Sequence, residues 1–344
     1  MNFGSDNVTG ASEEIINAVV RANAGLTNSY GGDLFTARVE TQLTELFETD
    51  LTAFLVATGT AANALALSVM TPPYGAVLCH WNSHIFEDEC GAPEFFTNGA
   101  RMIPVSGSDG KMDLNDFIAK ANRGQGDIHS LQPSAASITQ ITELGSIYSK
   151  EEIAAIADAC HSRGLTLHMD GARFANAVAA MDTTPAEISW RAGVDAMTFG
   201  ATKNGAMGVE AVIFFDRQLA QNFALRRKRA GHLFSKMRFL SAQMEAYLTD
   251  GLWLNNARHA NAMANRLLAG LAPLEAFEFP YTGGGNMLFP KLPTTHYQAL
   301  KKDGFTFYRG RWKEDVARLV TAFNTCPGGV DALIEASSRI ARQS

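Results

Sequence analysis

The chain has 344 residues, more than one core usually organises, and its 46% apolar and 19% charged residues give globular composition with ample material for a core. The net charge is −6 with one short basic cluster, Arg226-Arg227-Lys228-Arg229, so nucleic-acid or membrane-surface binding is not expected as the main work. No apolar run is long enough to span a bilayer, residues 1–6 lack the pattern of a secretory signal, and Cys79, Cys90, Cys160 and Cys326 form no CxxC pair, so a reduced, cytoplasmic setting is expected.

In chain order, residues 53–57 read as a buried strand and 60–70 as the helix after it. Residues 76–79 are the next strand, followed by a helix over 84–89. Residues 128–131 and 136–140 read as one extended stretch, then 150–163 as a helix. A strand at 165–169 and a helix at 174–181 follow, then strands at 195–199 and 210–215. Buried strands alternating with helices predict an α/β fold with a mostly parallel sheet. After about residue 245 the pattern changes. A helix spans 257–271, strands 286–289 and 317–321, and a final helix 329–342, with a turn or hinge at Gly283-Gly284-Gly285. The expected division is a large domain, 1–245, and a smaller α+β domain, 246–344.

Ligands of open α/β sheets collect at the carboxyl ends of the strands. Thr58-Gly59-Thr60-Ala61-Ala62-Asn63 follows the first strand. Small residues there let backbone N–H groups reach an anion at a helix N-terminus. The bland alternative is a plain turn with a threonine cap. The segment is neither a Walker loop nor a GxGxxG fingerprint. Asp170-Gly171-Ala172-Arg173 also ends a strand. A buried carboxylate needs a cationic partner. Arg173 is one choice; the other is a protonated pyridine nitrogen, which would make Asp170 the group that keeps a cofactor ring cationic and leave Arg173 for the cofactor's phenolic oxygen or a substrate. Lys203, in Phe199-Gly200-Ala201-Thr202-Lys203-Asn204-Gly205, follows another strand. Lysine can form a Schiff base with an aldehyde cofactor; otherwise it is a surface residue in a glycine-rich loop. His84 suits a ring stacked on a cofactor, or a base near neutral pH. A metal shared with His80 is a weaker reading, because a helix starting near Ser83 need not place the two on one face.

Anion turn, histidine, strand-end aspartate and lysine occur in the order found in the type I, aminotransferase-like fold of pyridoxal-phosphate enzymes. Within it the chain resembles the low-specificity L-threonine aldolase family and the related phenylserine aldolases. The matching motifs are Ser5-Asp6-Asn7-Val8-Thr9, Tyr30-Gly31-Gly32-Asp33, Thr58–Asn63, His84 with Glu89, Asp170–Arg173, Thr202-Lys203-Asn204-Gly205 and Arg318-Leu319-Val320-Thr321. The resemblance implies that Lys203 binds pyridoxal 5′-phosphate, Gly59 and Thr60 hold its phosphate, Asp170 its ring nitrogen and Arg173 its phenolic oxygen, while His84 stacks on the ring. Ser5 and Arg318 hold the substrate carboxylate, and an arginine fork suits that task. Tyr30 reaches the site from a neighbouring subunit in a dimer-based homotetramer, and Lys236 supplies a phosphate charge across the same interface. Many members place a histidine for the β-hydroxyl where this chain has Glu143, so the base is His84, Glu143 or a water held by either. The expected reaction is cleavage of an L-β-hydroxy-α-amino acid to glycine and an aldehyde. β-Elimination, transamination or racemisation on the same fold is the nearer alternative, and a non-catalytic phosphate-ligand protein the more distant one.

Overall fold

Seven short runs become one sheet: β1 (Thr52–Val56), β2 (Gly75–His80), β3 (Arg101–Val105), β4 (Gln132–Thr139), β5 (Thr166–Gly171), β6 (Ala196–Gly200) and β7 (Glu210–Phe214). They belong to a computed structural model that describes residues 1–342; the last two residues of the expected small domain, Gln343 and Ser344, lie outside the described residues. The strand order is β1-β7-β6-β5-β4-β2-β3. β7 runs antiparallel to both neighbours, and every other pairing is parallel. β2, β6 and β7 are buried along their whole length, which explains why they read as continuous apolar runs.

Helices cover both faces. Helix Gly59–Met70 is apolar on almost every side and is accordingly buried, packed with Val56, Val77, Phe214 and Phe223. Thr58 caps it, its hydroxyl accepting the Ala61 N–H at 3.2 Å. On the other face Phe199 meets Phe47, Phe174 and Trp253 edge to face, while the Phe47–Phe174 and Phe199–Tyr247 pairs are tilted. Helix Lys150–His161 starts at a reciprocal capping box between Ser149 and Glu152.

A second sheet, antiparallel, contains β8 (Met287–Leu288), β9 (Tyr308–Arg309) and β10 (Ala317–Val320), in the order β8-β10-β9. Its core includes Leu267, Leu271, Leu319 and Leu333. The start of the chain joins this core: Phe3 is buried in it and donates its N–H to Thr306 O at 2.7 Å. That anchoring brings Ser5 and Asp6 between the two sheets. The expected architecture, a large mostly parallel sheet beside a small α+β part, is what forms. Among the described residues no helix is long and apolar enough to cross a membrane.

Some boundaries differ from expectation. Residues 128–131 are not strand: Asp127 holds a turn by accepting the His129 N–H at 2.9 Å, and Ile128 is exposed. The helix expected over 84–89 is a single turn, His84–Glu87, because Cys90 and Gly91 take left-handed φ of 52° and 74°. The long helix starts at Leu252. β3 was not anticipated; Pro104 sits in it, tolerated because β3 is an edge strand.

Candidate active site

The chemistry-bearing residues gather at one edge of the large sheet, where β2, β4, β5 and β6 end. β7 begins at the same edge because it runs the other way, placing Glu210 opposite Gly200. Between this edge and the small sheet lies a cleft of about 830 Å³, lined by Ser5, His84, Glu143, Arg173, Lys203 and Arg318. Its outer wall carries Trp81, Tyr281, Tyr308 and Trp312.

Lys203 sits in the 3-10 turn Thr202–Asn204 after β6. Asn204 fixes that turn by donating to Tyr247 Oη and to Trp253 O, both at 2.7 Å. Gly205 has φ +113°, and a Cβ there would lie 2.4 Å from Ser12 Oγ, so only glycine fits. Burial, then Arg173, pull the Lys203 ammonium below the ordinary lysine range, while Asp6, Asp170 and Glu210 oppose them.

Asp170 is buried near the end of β5. One carboxylate oxygen accepts the Ala172 N–H at 2.9 Å, the other the Asn63 amide at 2.8 Å. Burial raises this carboxyl, but the charges of His84 and Lys203 and these hydrogen bonds outweigh it, so Asp170 stays ionised. Asn63 continues the network. Its amide nitrogen also donates to Glu89 Oε1 at 2.9 Å, and its oxygen accepts the Thr198 hydroxyl at 2.9 Å. Glu89 Oε1 lies 2.9 Å from His84 Nδ1. Burial pulls the imidazole down, yet this hydrogen bond and the Asp170 charge hold it above its ordinary value.

The ion-pair alternative for Asp170 and Arg173 is not what forms. Arg173 instead forks onto Asp6, with Nε to Oδ2 at 2.8 Å and Nη2 to Oδ1 at 2.9 Å. Asp6 is buried and also accepts the Asn286 amide at 3.1 Å. Asp6 comes from the far end of the sequence, so chain order gave no sign of the pairing; its presence beside Ser5 in one motif was the available signal. Arg318, on β10, donates from Nη2 to Gly4 O at 2.9 Å and lies over the rings of Tyr308 and Trp312. Its Nε is buried with no protein partner among the described residues. Burial and the neighbouring Arg173 lower it to about 10. Two guanidiniums facing one cleft favour an anion between them.

At the N-terminus of helix Gly59–Met70, the N–H groups of Gly59 and Thr60 have no internal partner among the described residues. A Cβ on Gly59 would meet nothing within 4 Å, so open space lies before this cradle, as a phosphate requires. Lys203, Asp170 and the cradle are therefore a donor set that fits an aldehyde-bearing pyridine phosphate. Glu143, after β4, accepts the His84 N–H at 2.7 Å and the Thr139 hydroxyl at 3.0 Å, both on Oε1. Tyr30 and Lys236 are exposed and lie apart from this cleft's lining. They are near each other, Tyr30 donating its N–H to Ser235 O at 3.0 Å. Sequence reasoning missed Glu210, which opens a strand rather than ending one, and Arg311, which bonds both oxygens of Asp88 across the cleft mouth.

The beta-eliminating lyase family matches residues 2–288. The low specificity L-threonine aldolase of Pseudomonas sp. is 44% identical over 306 residues, covering 89% of this chain and 88% of that protein. The solved structure of Leishmania major threonine aldolase superposes with a TM-score of 0.93 at 30% identity, covering 99% of each chain. The histidinol-phosphate aminotransferase of Clostridium acetobutylicum, 13% identical with a TM-score of 0.73 over all of both chains, shares the fold alone.

Proposed function

The chain belongs to the low-specificity L-threonine aldolase family of beta-eliminating lyases, and from that premise we propose that it cleaves L-β-hydroxy-α-amino acids of the threonine or phenylserine type to glycine and an aldehyde. It is a pyridoxal-phosphate-dependent carbon–carbon lyase with the type I fold. The observation that carries the substrate reading is the meeting of Lys203 with two arginines, Arg173 and Arg318, in one cleft above the buried Asp170.

In this reading Lys203 holds the cofactor's aldehyde carbon. Gly59 and Thr60 hold its phosphate, Asp170 its ring nitrogen, Arg173 its phenolic oxygen, and His84 covers its ring. When bound, the group supplies a sink for the electron pair left at Cα. The chain's own residues do the rest. Ser5 and Arg318 grip the substrate carboxylate and thereby set which bond at Cα stands ready to break. Asp6 holds Arg173 in place through its two hydrogen bonds. Asp170, kept ionised by Asn63 and Ala172, keeps a proton on the ring nitrogen. The aromatic outer wall of Trp81, Tyr281, Tyr308 and Trp312 leaves room for an aryl side chain as well as a methyl.

The working assembly in this reading is a dimer-based homotetramer in the cytoplasm, with Tyr30 and Lys236 serving a neighbouring subunit's site. Their exposure supports it, as do the exposed apolar residues Ile16, Val20, Leu26 and Leu34 near the same surface segment of chain. The four unpaired cysteines suit a reducing compartment. Incubation with threonine and phenylserine tests the reaction. Acetaldehyde or benzaldehyde with equimolar glycine is the expected result; ammonia with a keto acid would replace aldol cleavage by β-elimination.

A further inference from the structure

We propose that Glu143 takes the proton from the substrate's β-hydroxyl, using the carboxylate oxygen that no protein group occupies. The inference rests on the aldol-cleavage reading and adds the base to it. Glu143 lines the same cleft as Lys203, Arg173 and Arg318. Its two oxygens are treated differently by the fold. Oε1 is pinned by the His84 N–H at 2.7 Å and the Thr139 hydroxyl at 3.0 Å. Oε2 is buried and has no hydrogen-bond partner among the described residues. A buried carboxylate oxygen left bare costs free energy unless a ligand group meets it. A hydroxyl is the ligand group that satisfies it, donating where the protein does not.

The competing groups are already committed. His84 gives Nδ1 to Glu89, and although burial pulls its imidazole down, that contact and the nearby Asp170 hold it above its ordinary value, which leaves less of it free to accept a proton. Asp88 is bound by Arg311, and Glu87 is exposed. Burial and then the Asp170 charge raise the Glu143 carboxyl to about 7, suited to proton exchange near neutral pH. The step balances. Glu143 takes the hydroxyl proton, the O–H pair becomes the second bond of the aldehyde carbonyl, and the Cα–Cβ bond breaks. Its pair stays at Cα, which takes up one proton to become glycine, while Glu143 returns its own to solvent.

The test is Glu143→Gln in the cofactor-loaded enzyme, because glutamine keeps an oxygen for His84 N and Thr139. Two readouts are compared: aldehyde release, and exchange of glycine's α-protons with deuterium oxide by NMR, which involves no β-hydroxyl. The expected result is a fall in kcat/KM for cleavage of about 100-fold or more with exchange persisting, and loss of the limb near neutral pH from the cleavage profile. Glu143→Ala should regain part of the cleavage on adding formate. Cleavage at the wild-type rate in Glu143→Gln overturns the proposal. Loss of both readouts, with the cofactor still bound, also overturns it, by making Glu143 a support for His84. A wild-type enzyme that neither exchanges glycine nor releases aldehyde defeats the aldolase reading itself, which is a separate failure.

Discussion

The carboxylates in and around the cleft are set apart by their surroundings. Asp170 is held ionised, while Glu143 and Glu210 are pushed up to about 7, in each case chiefly by burial. Glu210 is 6% exposed and accepts the Ala201 N–H at 3.0 Å, bracing the turn that presents Lys203. Its folded pKa lies above the ordinary 4.5, so the stability it contributes is complete below pH 4.5 and is lost as pH rises through about 7. Glu210→Gln removes that dependence. In urea unfolding of the cofactor-free protein, the variant should gain on the wild type between pH 5 and pH 8, by up to about 3 kcal/mol. Parallel pH profiles for the two proteins would contradict this. Arg318→Lys should act on binding: with the planar fork gone, KM for threonine should rise about 10-fold or more with a smaller change in kcat, from the loss of about 1.5–3 kcal/mol of charge-assisted hydrogen bonding.

Asn63 works at the scale of elements, because it ties helix Gly59–Met70 to β5 through Asp170, to β6 through Thr198 and to the segment after β2 through Glu89. Asn63→Ala takes one donor from each of two buried carboxylates, and the expected cost is about 2–4 kcal/mol in chemical denaturation. Asn63→Asp should cost more, since it sets a third negative charge against two others; a milder effect than alanine would refute the network. This scale also shows what a single sequence reveals. Asp170 and Lys203 were legible because each follows a continuous apolar run, and buried parallel strands leave that trace. Asn63 was legible as part of a turn, but its three partners come from three other segments. The Asp6–Arg173 pair was hidden because 167 positions separate them. β3 was hidden because Pro104 reads as a breaker wherever a strand is not known to lie at an edge. Ile128 misled because an apolar residue was counted as core when it stands exposed on a turn.

Across the whole molecule, the cleft exists because the chain's first residues pair with the small sheet and then cross to the large one. Phe3 is in one core, and Asp6 holds Arg173 beside the other. The Arg311–Asp88 pair joins the two parts again at the cleft mouth, and both side chains are partly exposed, 51% and 29%. An ion pair so placed contributes about 0–1 kcal/mol, so Arg311→Ala should barely move the melting temperature. Its effect should fall on KM, and added salt should reproduce part of that effect in the wild type. A large loss of stability with unchanged KM would show that the pair serves the fold rather than the mouth. The central claim is that this cleft carries its cofactor on Lys203, and one measurement addresses it directly: borohydride reduction of the cofactor-loaded protein, followed by peptide mass mapping. The account predicts a reduced pyridoxyl phosphate mass on the peptide containing Lys203; the same mass on a different lysine, or on no peptide at all, would contradict it.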